Sequence, residues 1–232
     1  MVKRIVSLLL VVFMIVGITI GCNSKTEPSV QGKTEEAEKT NTEQTGQSKE
    51  ENKYGGTVVV AYQSEPDTMN VYSTHLLADV QTCVIEGLII PDENMNYVPV
   101  LAKEVPTLEN GLIKLTDDGK MTITYNLKEG VKWHDGKTFT SADVKYTWEA
   151  LYDEKFLAEG KEGVYDIDKI ETPDDYTVIC YYKYPVADFA TTLFTFGIMP
   201  KHICEGTDLN VQTGYNRELI GTGPFKFKEW KP

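Results

Sequence analysis

Few residues in this chain have types and spacings that invite chemistry, and most of those read better as structure. His134-Asp135 has the composition of a proton-transfer pair. Neighbouring side chains in extended chain point to opposite faces, and Asp135-Gly136 is ordinary turn chemistry, so a turn is expected there. Asp166, Asp168, Glu171, Asp174 and Asp175 offer carboxylates to a hard cation. They lack the glycine and the spacing of a cation-binding loop of about twelve residues, and a solvated face is expected. The three histidines, at 75, 134 and 202, lie far apart, and no Cys or His cluster has metal-ligand spacing. Neither a metal nor a cofactor is expected. Beyond Cys22 the cysteines are Cys83, Cys180 and Cys204, an odd number that permits at most one disulfide. Three free thiols are the favoured reading. Cys83 falls on the apolar side of a predicted helix and Cys180 inside a predicted strand, where free Cys behaves as a small hydrophobe. With no nucleophile–base set and no metal cluster, the chain is expected not to be an enzyme.

Cys22 is a different matter. Lys3 and Arg4 precede an uncharged stretch of 16 residues, Ile5 to Ile20, shorter than the roughly 20 residues that span a bilayer as a helix. A positive start, a short apolar run and a small residue before a cut mark a secretory signal over residues 1–21. Thr19-Ile20-Gly21-Cys22 resembles a bacterial lipobox, which implies lipidation of the Cys22 thiol. Residues 23–53 contain no aromatic residue and no Leu, Ile or Met, a composition that cannot bury enough apolar surface to fold. As a flexible tether such a segment reaches about 30 Å. Signal, lipidated cysteine and tether (22–53) together predict a domain held outside the cell on a lipid anchor, since two acyl chains supply stable attachment.

A net charge of −12 argues against nucleic acid, whose phosphates demand basic surface. The domain that begins at residue 54 must be positioned by alternating elements. Thr57 to Tyr62 is a β-rich apolar run, expected as a strand buried on both faces. Leu76 to Leu88 has helical periodicity, with Gly87 near its end. Pro91 to Asn94 reads as a turn. Met121 to Leu127 alternates strictly, as a half-buried strand does. Thr140 caps a helix with Asp143 in the capping-box position, and Val144, Trp148 and Leu151 line one face to about Tyr152. A polar stretch follows. Tyr176 to Tyr182 is a strand, Pro185 opens a helix through Val186, Phe189 and Leu193, and Met199-Pro200-Lys201-His202 begins a short one. Gly221 to Phe227 is a turn running into a strand. Trp133 and Trp148 are expected to pack the core. The fold class is mixed α/β. Gln63, Ser64 and Glu65 leave the first strand at its carboxyl end, where ligands of α/β sheets tend to lie.

The run from Leu127 to Glu149, LKEGVKWHDGKTFTSADVKYTWE, is similar to the signature of the family 5 extracellular solute-binding proteins. Ser64 to Asn70, Val84 to Leu88 and Gly221 to Phe225 match further motifs in the order that family requires. The resemblance implies two lobes around a cleft, of periplasmic-binding-protein type II, with an α+β subdomain inserted into the first. By analogy 54–101 starts lobe one, 102–219 is the inserted subdomain and 220–232 returns to lobe one. The second lobe is then missing, so the chain is expected to be an N-terminal fragment. The implied role is capture of an oligopeptide or dipeptide outside the membrane and its delivery to an ABC permease, by a monomer. Nickel or another small solute, or a surface lipoprotein with an interaction or sensing role, are the alternatives. In that family the corner at Gln63, Ser64 and Glu65 faces the cleft. The ligand would pair with backbone like an added strand, and Glu65 would meet a cationic group on it. Gly223 and Phe225 are weaker candidates for the same wall.

Overall fold

The computed structural model describes residues 55–74, 79–191 and 194–231. The predicted signal, Cys22 and the tether lie outside the described residues. The chain divides into two compact units, Met1–Val58 and Val59–Pro232. Of the first, only 55–58 are described, and the elements below all belong to the second.

The largest sheet is built by alternation. In β4 (Met121–Asn126) Met121, Ile123 and Tyr125 are buried and their neighbours half-buried, and β6 (Thr177–Tyr182) buries Val178, Cys180 and Tyr182 in the same way. The two strands run antiparallel with Ile123 opposite Cys180 and Tyr125 opposite Val178, so one face is a continuous apolar layer. β3 (Ile113–Leu115) and β5 (Ile167–Asp174) flank them in the order β3-β4-β6-β5. β5 occupies the stretch expected to be merely polar. Only Ile167 and Ile170 turn inward, and register shifts at Ile167/Lys169 and Glu171/Asp174 disturb the period of two by which a strand is read.

The helix Ser141–Tyr152 packs on β5 and β6. It starts where expected: the Thr140 N–H donates to Asp143 Oδ2 at 2.9 Å, satisfying one orphan donor of the first turn. Val144 and Leu151 are fully buried and Trp148 is half-buried. The smaller sheet pairs β1 (Ile89–Pro91) with β2 (Tyr97–Pro99), across a turn in which Asp92 Oδ1 accepts from the Asn94 and Asn96 N–H groups. The remaining helices are single turns, Asp79–Thr82 and Lys201–Cys204. The latter is the short helix expected after Met199.

Several expectations are corrected. Thr57 to Tyr62 forms no strand. Val58, Val59 and Val60 are 87%, 90% and 64% exposed, because a strand buried on both faces needs neighbours and none pairs with it among the described residues. The helix predicted to Leu88 ends at Thr82, and Cys83 is exposed, not on an apolar helix face. Pro185 opens no α-helix; a 3-10 turn at Phe189–Thr191 stands there. Gly221 to Phe227 is not a regular strand, although two of its N–H groups bond to a neighbouring segment.

Candidate functional site

The early helix stops because the backbone after it is needed elsewhere. The Gly223 N–H donates to Val84 O at 2.9 Å and the Phe225 N–H to Cys83 O at 3.1 Å. From another side the Ile198 N–H donates to Glu86 O at 3.0 Å, and the Leu88 N–H to Phe194 O at 2.8 Å. Carbonyls spent this way cannot also close helical turns. Thr222 Oγ1 adds a bond to Glu86 Oε2 at 2.8 Å. Two glycines make the approach possible. A Cβ on Gly221 would sit 1.8 Å from Val84 O, and one on Gly87 would sit 2.4 Å from Phe194 O. Gly87 is therefore a close-approach residue and not a helix stop.

His134 fastens the returning segment. Its N–H donates to Gly221 O at 2.9 Å, its Nε2 lies 2.8 Å from Gly223 O, and the Gly221 N–H points at Nδ1 at 3.4 Å. One neutral tautomer, protonated on Nε2, satisfies both ring contacts. Lys226 Nζ donates to His134 O at 3.0 Å. Asp135 turns the other way, with Oδ2 2.7 Å from His202 Nε2. Burial pushes the Asp135 carboxyl up, but the Lys137 backbone N–H and the His202 imidazole outweigh it and hold the group below its ordinary value. Trp133 is buried, edge-on to Phe139, with Nε1 3.4 Å from Asp143 Oδ2. Asp143 Oδ1 also accepts the Lys201 N–H at 3.0 Å. Burial raises the Asp143 carboxyl in spite of these donors. Trp148 donates to Val164 O at 3.1 Å, so both tryptophans are anchored in the packing.

The predicted ligand corner is exposed. Gln63, Ser64 and Glu65 form an open bend. Of the three, Glu65 reaches the C-terminal segment, where its Oε1 accepts from Trp230 Nε1. The Arg217 guanidinium stacks over the Trp230 ring, with Cζ 3.9 Å from its centroid. Arg217 and Trp230 border a cleft of about 480 Å³ with Leu219, Ile220 and Phe227, inside the range of about 300–1,000 Å³ typical of ligand pockets. Gly223 is half-exposed and Phe225 is 64% exposed beside it in the chain. Sequence reading missed Arg217, Trp230 and the fastening role of His134. The partners stand 13 to 165 residues apart, and no local spacing reports such contacts.

The chemistry on offer is non-covalent. Among the described residues no group of three or more His, Cys, Asp or Glu side chains could hold a metal ion. Burial pushes the Cys204 thiol up to about 12 and that of Cys180 higher still, so both stay protonated at neutral pH, the unreactive form. No helix among the described residues is long and apolar enough to cross a membrane.

A mixed α/β domain with a polar corner beside a cleft, and no reactive centre, defines a binding protein class. The model of the bacterial extracellular solute-binding proteins, family 5 (middle) matches residues 96–232, and the chain belongs to that family. It is 34% identical over 174 residues to protein XP55 of Streptomyces lividans, covering 75% of this chain and 30% of that one. It is 32% identical over 183 residues to the oligopeptide-binding protein AppA of Bacillus subtilis, covering 76% and 32%. The solved structure of that AppA with a nonapeptide superposes with a TM-score of 0.62 at 31% identity, over 72% of this chain and 32% of the other. NikZ from Campylobacter jejuni in complex with Ni(L-His) gives 0.61 at 31% identity, with the same coverage. The fold is thus of the periplasmic-binding-protein type II kind, and the chain spans about a third of the length of these relatives.

Proposed function

We propose that this protein captures oligopeptides or dipeptides outside the cell for import through an ABC permease, as a lipid-anchored monomer and without covalent chemistry. The observation that carries the reading is the meeting of Val84 to Gly87 with Gly221 to Phe225, two motifs of the family brought side by side next to the exposed Glu65 corner. The likeness to an oligopeptide-binding protein supports peptide as the solute. In this reading 54–101 and 220–232 build one lobe and 102–219 is a subdomain inserted into it. Gln63, Ser64, Glu65, Gly223 and Phe225 line the ligand wall, with Glu65 facing a cationic group. Cys22 carries the lipid and 23–53 is the tether.

Isothermal titration with peptides of two to nine residues tests the reading. Saturable binding is expected, weakened by E65Q for peptides with a free amino terminus and unchanged for N-acetylated ones. Heat exchange indistinguishable from dilution for every peptide would defeat it. In cells, globomycin should block maturation, and C22A should release the protein from the membrane fraction.

A second reading, capture of a nickel–amino acid chelate, is favoured by the equal likeness to NikZ with Ni(L-His). Titration with nickel–histidine in place of peptide separates the two.

A further inference from the structure

Residues 54–232 contain many lysines but a single arginine, Arg217. Its guanidinium lies flat on Trp230. Among the described residues it has no carboxylate partner and no side-chain hydrogen bond; the stack is its contact. The nearby Glu229 is engaged by Lys231 at 2.9 Å. Trp230 is itself held, because Nε1 donates to Glu65 Oε1 on its other side. Glu65, Trp230 and Arg217 therefore form a three-membered ladder at the border of the cleft, with a carboxylate at one end and a cation at the other.

Arginine at such a place is not interchangeable with lysine. A planar guanidinium can stack on an indole and still present its edge N–H groups in a fork that fits a carboxylate in two parallel bonds. Stacking also fixes the side chain in advance, which lowers the entropy lost when a ligand binds. An unpaired guanidinium facing an acidic protein's cleft favours an anion that the rest of the surface repels.

We infer that Arg217 binds a carboxylate of the solute, and that Trp230 is a positioning residue that holds Arg217 and Glu65 apart at the two ends of a zwitterionic ligand. The inference rests on the solute-binding reading above and narrows its ligand to molecules carrying a free carboxylate.

The test uses the whole chain, Trp fluorescence and calorimetry, and two probes, a tripeptide and a nonapeptide, each as free acid and as C-terminal amide. Wild type should bind the free acids at least about tenfold more tightly than the amides, the scale of one charge-assisted bond. R217Q should bring the acids down to the level of the amides while leaving the melting temperature unchanged. R217K should recover only part of the preference, and W230F should lose preference at both termini, since it loses the Glu65 bond. Equal binding of acid and amide by wild type would overturn the role of Arg217 and leave the solute-binding reading standing. Binding of neither form would remove both.

Discussion

His134 and Gly221, 87 positions apart, bond reciprocally: the His134 N–H donates to Gly221 O at 2.9 Å, and the Gly221 N–H faces His134 Nδ1 at 3.4 Å. With Nε2 on Gly223 O, one imidazole and its own backbone fix the strand-like return of the chain beside Val84. The residue that looked like half of a catalytic pair is a fastener.

Replacing it should therefore cost stability. H134A removes both ring contacts and leaves Gly223 O in search of water, at about 1–3 kcal/mol. Urea denaturation gives the loss directly. Faster amide exchange at Gly221 and Gly223, with the β4–β6 amides unchanged, would locate it.

Gly221 allows a sharper contrast. In G221A the new methyl would meet Val84 O at 1.8 Å, and backbone must move, at about 3–5 kcal/mol. G206A has open space around its Cβ but a φ of +77°, and should cost only about 1 kcal/mol. Melting curves of the two variants rank them; equal losses would contradict the close approach drawn here.

Asp143 accepts from Thr140, Lys201 and Trp133 on two oxygens. D143N keeps the shape but turns an NH2 toward a donor, at about 2 kcal/mol, with loss of the helix start visible by circular dichroism. Burial raises this carboxyl. The stability linked to its titration is therefore full below its unfolded value and declines as pH rises through the folded one.

Asp135 has the opposite sign. Its carboxyl is held below the ordinary 3.8, so the ionised form is favoured by the fold. The stability it contributes is present above 3.8 and disappears as pH falls through the lower folded value. The difference in denaturation midpoint between wild type and D135N should persist at pH 6 and vanish at about pH 2; a difference unchanged at acid pH would contradict the His202 contact.

What could be read from the sequence was local and periodic. Met121 to Leu127 alternates without interruption and became β4 with its odd residues buried. Thr140 and Asp143 set the start of the helix that ends at Tyr152. β5 escaped because its bulges break the period and its exposed positions are Asp, Glu and Lys, poor strand formers. The segment after Thr82 was misread as helix because Val84 and Leu88 fit a helical spacing, while the partners that keep it extended, Gly223 and Ile198, come more than 100 residues later. At the ligand corner Glu65 was legible from its place after an apolar run. Arg217 and Trp230 were not, since only the fold brings them to it.

Native mass spectrometry with a defined peptide mixture tests the central claim most directly. The account predicts a 1:1 adduct of the folded protein with peptide, which shrinks in E65Q and survives unrelated surface substitutions such as K120Q. A folded protein that carries no peptide at any ratio would contradict it.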